Sequence, residues 1–233
     1  MALLAAGCHP AGHAPVTTLR GPGTHQETVT LPSGQTLRYV LVVPEKTRGS
    51  LVVALHHAGP VTAFFARRMV DTLIAPALRD PLGAVIVAPD ALEGGDWRTS
   101  TNEDAVVWLT EEMLARYPID RARVLLTGYS MGGRGTWSIG TRHQELFSAL
   151  IPISASPEPA PVTIRRPICA IQSREDTVFP FEPFLRQIET IERHGVHVEV
   201  RAISGYGHYD MPLFAAPLEE AVPWLREAWG VGD

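Results

Sequence analysis

The sequence predicts an α/β fold, a mostly parallel twisted sheet with helices on both faces and an antiparallel hairpin at its N-terminal end. Three observations carry that prediction. Two strand-like runs, 28–31 and 37–43, flank Pro32-Ser33-Gly34 and read as a hairpin. After them, short β-rich apolar runs alternate with longer segments of helical spacing, the pattern of repeated βα units. Several of those runs are apolar throughout, as strands covered on both faces must be.

Taken in order, residues 50–56 (Ser-Leu-Val-Val-Ala-Leu-His) form a buried strand and 62–78 a helix. Residues 84–88 are a second buried strand. Residues 102–117 are an amphipathic helix, with Val106, Val107, Leu109, Met113 and Leu114 on one side and Asn102 or Asp104 as its N-cap. Strand 124–127 leads through a Gly-rich turn into a helix reaching about residue 147. Strands at 150–153 and 168–172, a helix at 183–194, a strand at 196–203 and a last helix at 219–229 complete the series. No internal repeat or linker divides it. One domain is expected over 26–233, preceded by a flexible tether over 1–25 that is rich in Gly, Pro, Thr and His.

Composition agrees with one globular core. The 233 residues are 45% hydrophobic and 19% charged, which excludes a disordered chain, and two cysteines exclude a disulfide scaffold. The net charge of -5, with no basic stripe, argues against nucleic acid as a partner. Nineteen of the twenty basic residues are Arg, a bias that codon usage in a GC-rich genome explains and that points to no function. Cys169, in Pro-Ile-Cys-Ala-Ile, is expected as a core thiol. Residues 1–8 (Met-Ala-Leu-Leu-Ala-Ala-Gly-Cys) resemble a bacterial lipobox, which would make Cys8 a lipid anchor and the cell envelope the location. The alternatives are an ordinary frayed terminus and a cytoplasmic chain.

The strongest chemical signal is Gly128-Tyr129-Ser130-Met131-Gly132-Gly133, between a strand and a helix. That is the setting of a G-x-S-x-G nucleophile turn. Small residues two before and two after the Ser relieve a sharp bend, and the helix N-terminus favours developing negative charge. A Ser hydroxyl needs a base, and the base needs an orienting acid. Of the four His after Ser130, His143 and His194 fall on helices and His197 begins a strand. His208 lies in a Gly-rich loop just past a strand and is the expected base. Asp176 is the expected acid, with Glu175 as the alternative, and Asp210 is too close in sequence to His208. The oxyanion needs N–H donors, one from Met131 and one from the loop Leu55-His56-His57-Ala58-Gly59.

These residues resemble the α/β-hydrolase superfamily, and within it the small bacterial carboxylesterases of the esterase, feruloyl-esterase and polyhydroxybutyrate-depolymerase-like branch. Dienelactone-hydrolase and prolyl-oligopeptidase-like catalytic domains are similar as well. The resemblance spans about 36–229. It rests on the Ser130 turn, the Tyr117-Pro-Ile-Asp120-Arg-Ala-Arg123-Val segment, Leu55-His56, Asp176 ahead of Phe179-Pro180, and Gly207-His208. It implies Ser130, Asp176 and His208 as a triad and the Met131 and Ala58 amides as oxyanion donors. Two positions depart from the family pattern. His57 stands where Gly is usual, which tests the loop path and makes the His57 amide an alternative donor. Gln172-Ser173 stands where His-Gly commonly precedes the acid.

The expected function is hydrolysis of small or polymeric carboxylic esters through an acyl-enzyme, with no metal or organic cofactor. The short Pro-rich connection after residue 154 leaves no room for a lid, so the cleft should be open. Trp97, Phe179, Tyr206 and Tyr209 are candidate pocket walls. Rival readings are a serine peptidase, a thioesterase, lipase or acyltransferase, and a non-catalytic binding module.

Overall fold

The computed structural model of the chain describes residues 19–92, 95–157 and 163–231. Its eight strands are β1 (Gly23–Thr30), β2 (Thr36–Val43), β3 (Ser50–Leu55), β4 (Ala84–Pro89), β5 (Val124–Tyr129), β6 (Ala149–Ile153), β7 (Ile168–Ser173) and β8 (Val198–Ile203). They form one sheet in the order β1-β2-β4-β3-β5-β6-β7-β8. The β1–β2 and β2–β4 pairs are antiparallel and the other five are parallel.

Side-chain alternation along β3 explains why its run is apolar throughout. All six residues are buried. Leu51, Val53 and Leu55 join the hydrophobic cluster on one face, and Val52 and Ala54 join the other. The first cluster also takes side chains from α3 (Ser100–Arg116), α4 (Met131–Arg142) and α5 (Phe181–Glu192), including Leu109, Trp137 and Phe184. The second takes Met69 of α1 (Arg67–Met69), Leu73 of a π-helical stretch (Val70–Ile74) and Leu78 of α2 (Ala75–Leu82). It continues through Phe214, Leu218 and Leu225, from a 3-10 turn (Met211–Phe214), α6 (Ala215–Glu220) and α7 (Val222–Ala228). Cys169 lies in β7 within this cluster, and burial pushes its thiol up to about 11. No described helix is long and apolar enough to cross a membrane.

Element boundaries differ from expectation for local reasons. Strand β1 begins at Gly23, inside the segment read as tether, and the Arg20–Glu27 ion pair at 2.6 Å continues that order to residue 20. The helix expected over 62–78 starts only at Arg67. Pro76 has no N–H to continue the i→i−4 ladder, and the turn before it is wound as a π-helix. The N-cap of α3 is Thr99, whose hydroxyl accepts the Asn102 N–H, so neither Asn102 nor Asp104 caps it. Helix α4 stops at Arg142, with Phe147 buried in the turn that follows. The last helix divides at Ala221 into α6 and α7. Cys8, its lipobox-like run and residues 158–162 of the β6–β7 connection lie outside the described residues.

Because β3, β4, β5, β6, β7 and β8 run in parallel, their carboxyl ends meet along one edge of the sheet, where loops can converge on a site. The tightest approach there joins the first turn of α4 to the end of β3. A Cβ on Gly132 would overlap the Leu55 carbonyl oxygen and lie 2.9 Å from that of His56. A Cβ on Gly128 would strike the Gly132 backbone. Both glycines are therefore required by space. Gly132→Ala is expected to destabilise the fold by about 3 kcal/mol or more through overpacking. Urea unfolding checks this, and a change within about 0.5 kcal/mol, the range of an ordinary surface substitution, would contradict the packing argument.

Candidate active site

Ser130 occupies the turn between β5 and α4 with φ 57° and ψ −115°, a conformation that non-Gly residues rarely hold. Its N–H donates to the Ile153 carbonyl at 2.9 Å, which fastens the turn to β6. The hydroxyl is thereby presented to the loop after β8. Ser130 Oγ lies 2.9 Å from His208 Nε2, and His208 Nδ1 lies 2.9 Å from Asp176 Oδ2. An ionised carboxylate only accepts, so Nδ1–H donates to Asp176 and Nε2 is left to accept the Ser130 proton. The three residues predicted from sequence are brought together in that order.

His208 is 6% exposed and held on several sides. Tyr129 stacks on its ring at 5.6 Å, Phe179 lies tilted at 5.6 Å, and Tyr209 meets it edge-on at 5.3 Å. Asp210 accepts the Gly207 N–H at 2.8 Å and so shapes the loop without orienting the imidazole. Burial pushes the Asp176 carboxyl up, but hydrogen bonds from His208, Ser154 and the Phe179 N–H outweigh it and hold it below the ordinary carboxylate range. Its Oδ1 takes the Val178 and Phe179 N–H groups at 2.8 and 2.7 Å. Glu175, the alternative acid, is exposed, and its carboxylate lies 3.2 Å from the Ser173 hydroxyl.

Two polar residues at this centre were given no role from the sequence. Ser154, fully buried at the end of β6, donates its hydroxyl to Asp176 Oδ2 and lies 3.1 Å from His208 Nδ1. Its φ of 52° marks a second strained non-Gly residue at the sheet edge. Gln172 sits where the family pattern has His, and its amide donates to Asp176 Oδ2 at 3.1 Å and to the Phe179 carbonyl at 2.7 Å. The adjoining Ser173 donates to the Tyr206 carbonyl at 2.5 Å. The Gln172-Ser173 departure therefore ties the acid loop to the His208 loop. The sequence marked Gln172-Ser173 only as a departure from the family pattern ahead of Asp176.

His56 and His57 have different surroundings. The His56 ring is fully buried. Its Nε2 accepts the Ala91 N–H at 2.9 Å, so Nδ1 carries the hydrogen and donates to the His57 carbonyl at 2.7 Å. Both ring nitrogens are used within the protein. Burial pushes this imidazole down to about 4, partly offset by the hydrogen bond to His57. His57 is half-buried and is not among the described non-Gly residues with positive φ, so the loop does not need Gly at that position. Burial, then the charges of Arg68 and His208, push His57 below the usual histidine range.

A cavity of about 370 Å³ opens over Ser130 and His208. His57, Ala58, Arg68, Tyr129, Tyr209 and Met211 are among its walls. Met131 is the first residue of α4, where a helix leaves N–H groups without intrahelical acceptors. Of the four aromatic residues expected in the pocket, Tyr209 alone lines the cavity, and it is 83% exposed. Trp97 is 1% exposed, because its indole N–H is satisfied by the His56 carbonyl at 2.9 Å and its ring fits over Gly135. It supports the end of β3 from beneath. Tyr206 packs edge-on against Phe214, and Phe179 is spent on the His208 ring.

No protein-family model matches the sequence, and no curated protein matches it. Solved structures do. A thermostable esterase superposes with a TM-score of 0.73 at 24% identity over 88% of this chain, which spans 62% of that protein's length. The fold is that of the α/β-hydrolases. An S-formylglutathione hydrolase, FrmB from Staphylococcus aureus, matches with a TM-score of 0.66 at 14% identity, covering 90% of this chain and 99% of its own. A ferulic acid esterase matches at 0.68 and 17% identity, covering 89% and 99%. At such identities the α/β-hydrolase likeness establishes architecture, and the chemistry must be argued from the residues above.

The neutral His56 gives a pH signature. Its folded-state pKa lies below the unfolded value, so as pH falls the unfolded chain takes up a proton first. Stability is then complete above about pH 6.5 and is lost as pH falls toward 4, by roughly 3 kcal/mol for a shift of this size. Urea midpoints measured between pH 7 and 4.5 for wild type and His56→Gln check this. The variant should be less stable at pH 7 and flatter across the window, and parallel curves would contradict it.

Proposed function

We propose that the chain is a serine hydrolase that cleaves carboxylic esters through an acyl-enzyme. The observation that carries this reading is the hydrogen-bond chain from Ser130 Oγ to His208 Nε2 and from His208 Nδ1 to Asp176 Oδ2, each 2.9 Å, at the floor of an open cavity.

In this mechanism Ser130 Oγ attacks the ester carbonyl carbon while His208 Nε2 takes the hydroxyl proton. The carbonyl oxygen becomes an oxyanion, stabilised by the Met131 N–H and by the Ala58 N–H, or the His57 N–H in its place. Collapse of the tetrahedral intermediate breaks the C–O bond, and His208 returns its proton to the departing alcohol. Water then enters, gives its proton to His208 and releases the acid, restoring Ser130. Asp176 keeps His208 in the tautomer with hydrogen on Nδ1 and stabilises the imidazolium formed in each half-reaction. Ser154 and Gln172 hold the Asp176 carboxylate ionised and in place.

The open cavity suits short-chain, aromatic or polymeric esters. Peptide amides, thioesters and long-chain lipids are the competing substrates, and rates on a matched panel rank them. Ser130→Ala is expected to lower kcat for p-nitrophenyl ester hydrolysis by on the order of 10⁴-fold or more while leaving the urea midpoint unchanged. A variant that keeps wild-type rates overturns the proposal.

A further inference from the structure

One feature of the cavity is not used by the hydrolytic chemistry. Among the described residues that line it, Arg68 is the sole Arg or Lys, and there is no Asp or Glu. The neighbouring Arg67 is paired with Asp71 at 2.6 Å, but no ion pair or side-chain hydrogen bond of Arg68 is found among the described residues. Arg68 is exposed and lines the cavity. Its backbone is set firmly. The buried Asp90 carboxylate accepts the Phe64 and Ala66 N–H groups at 2.6 and 3.3 Å, which fixes the entry to α1. Met69 and Val70, next along the chain, are fully buried. Arg68 therefore stands at a defined place beside the site.

His57 lines the same cavity. The Nδ1 atom of His57 is buried and has no hydrogen-bond partner among the described residues. Arg68 and His57 are both walls of this one cavity. A cation without a counter-ion among the described residues, with a neutral imidazole on the same wall that carries one N–H donor, would be satisfied by an anion entering with the substrate.

We propose that Arg68 and His57 form a subsite for a carboxylate on the substrate, so that this site favours esters carrying a negative charge over neutral esters of the same shape. The inference rests on the reading of Ser130 as an ester-cleaving nucleophile. A guanidinium is suited to the role, because its planar fork of donors matches a carboxylate.

The test compares matched probes. The mono-p-nitrophenyl esters of glutaric and adipic acid place the charge on the acyl side, against p-nitrophenyl valerate and hexanoate. 3-Acetoxybenzoate places it on the leaving group, against its methyl ester. Rates are corrected with Ser130→Ala. For an exposed ion pair, the ratio of kcat/KM for charged over neutral ester should be about fivefold in at least one probe pair. That ratio should fall toward one at about 0.5 M salt. It should approach one in Arg68→Gln, drop below one in Arg68→Glu, and persist in part in Arg68→Lys. A wild type that cleaves neutral esters with no preference for the charged member of either pair, or a ratio that Arg68→Gln leaves unchanged, overturns this proposal and leaves the hydrolase reading standing. A wild type that cleaves no ester above the Ser130→Ala background overturns both.

Discussion

The carboxyl edge of the sheet depends on one close approach, that of the first turn of α4 to the end of β3. Where a side chain would stand on Gly132, the Leu55 carbonyl already lies, and Gly128 leaves room for the Gly132 backbone in turn. Only a chain without side chains at those two positions can bend so sharply. The bend places Ser130 at φ 57°, a strained state held by its hydrogen bond to Ile153 and by the packing beneath it. Trp97 takes part from the other side, since its indole N–H binds the His56 carbonyl and its ring covers Gly135. The same contact sets the position of Ser130 and of the end of β3, from which the chain runs to His57 and Ala58 in the same cavity wall.

Electrostatics finishes what packing begins. Asp176 would be costly as a buried carboxylate, yet Ser154, Gln172, His208 and two backbone amides surround it with donors. His56, buried nearby, takes the opposite course and is held neutral. The loops that bring these groups together are fastened by short polar links, Ser173 to Tyr206 and Asp90 to Phe64 between loops and Asp210 to Gly207 within one. A site made of loops thereby acquires the rigidity of the sheet behind it.

Much of this was legible in the sequence where the physics is local. Buried strands announce themselves as continuous apolar runs, and the Ser130 turn announces itself through glycine spacing between a strand and a helix. His208 and Asp176 could be picked because each follows directly on a strand end. What was missed depends on partners far away in sequence. Ser154 reads as the last polar residue of a strand, and only the loops after β7 and β8 give its hydroxyl something to hold. Trp97, in a Gly- and Asp-rich loop, reads as a pocket wall until the His56 carbonyl claims its N–H. Arg68 reads as one of nineteen Arg, and nothing in its neighbours reveals that it reaches the cavity. The bounds of the α1–α2 segment and the Thr99 cap were misjudged because a proline and a side-chain hydroxyl altered the helix turn locally.

The central claim is that this packing makes one serine, Ser130, nucleophilic through His208. Reaction with a fluorophosphonate, followed by peptide mass spectrometry of the adduct, tests that most directly. The account predicts one phosphonyl group per chain, located on Ser130, and its loss in His208→Ala. A folded wild-type protein that takes up no label, or carries it on another residue, would contradict the account.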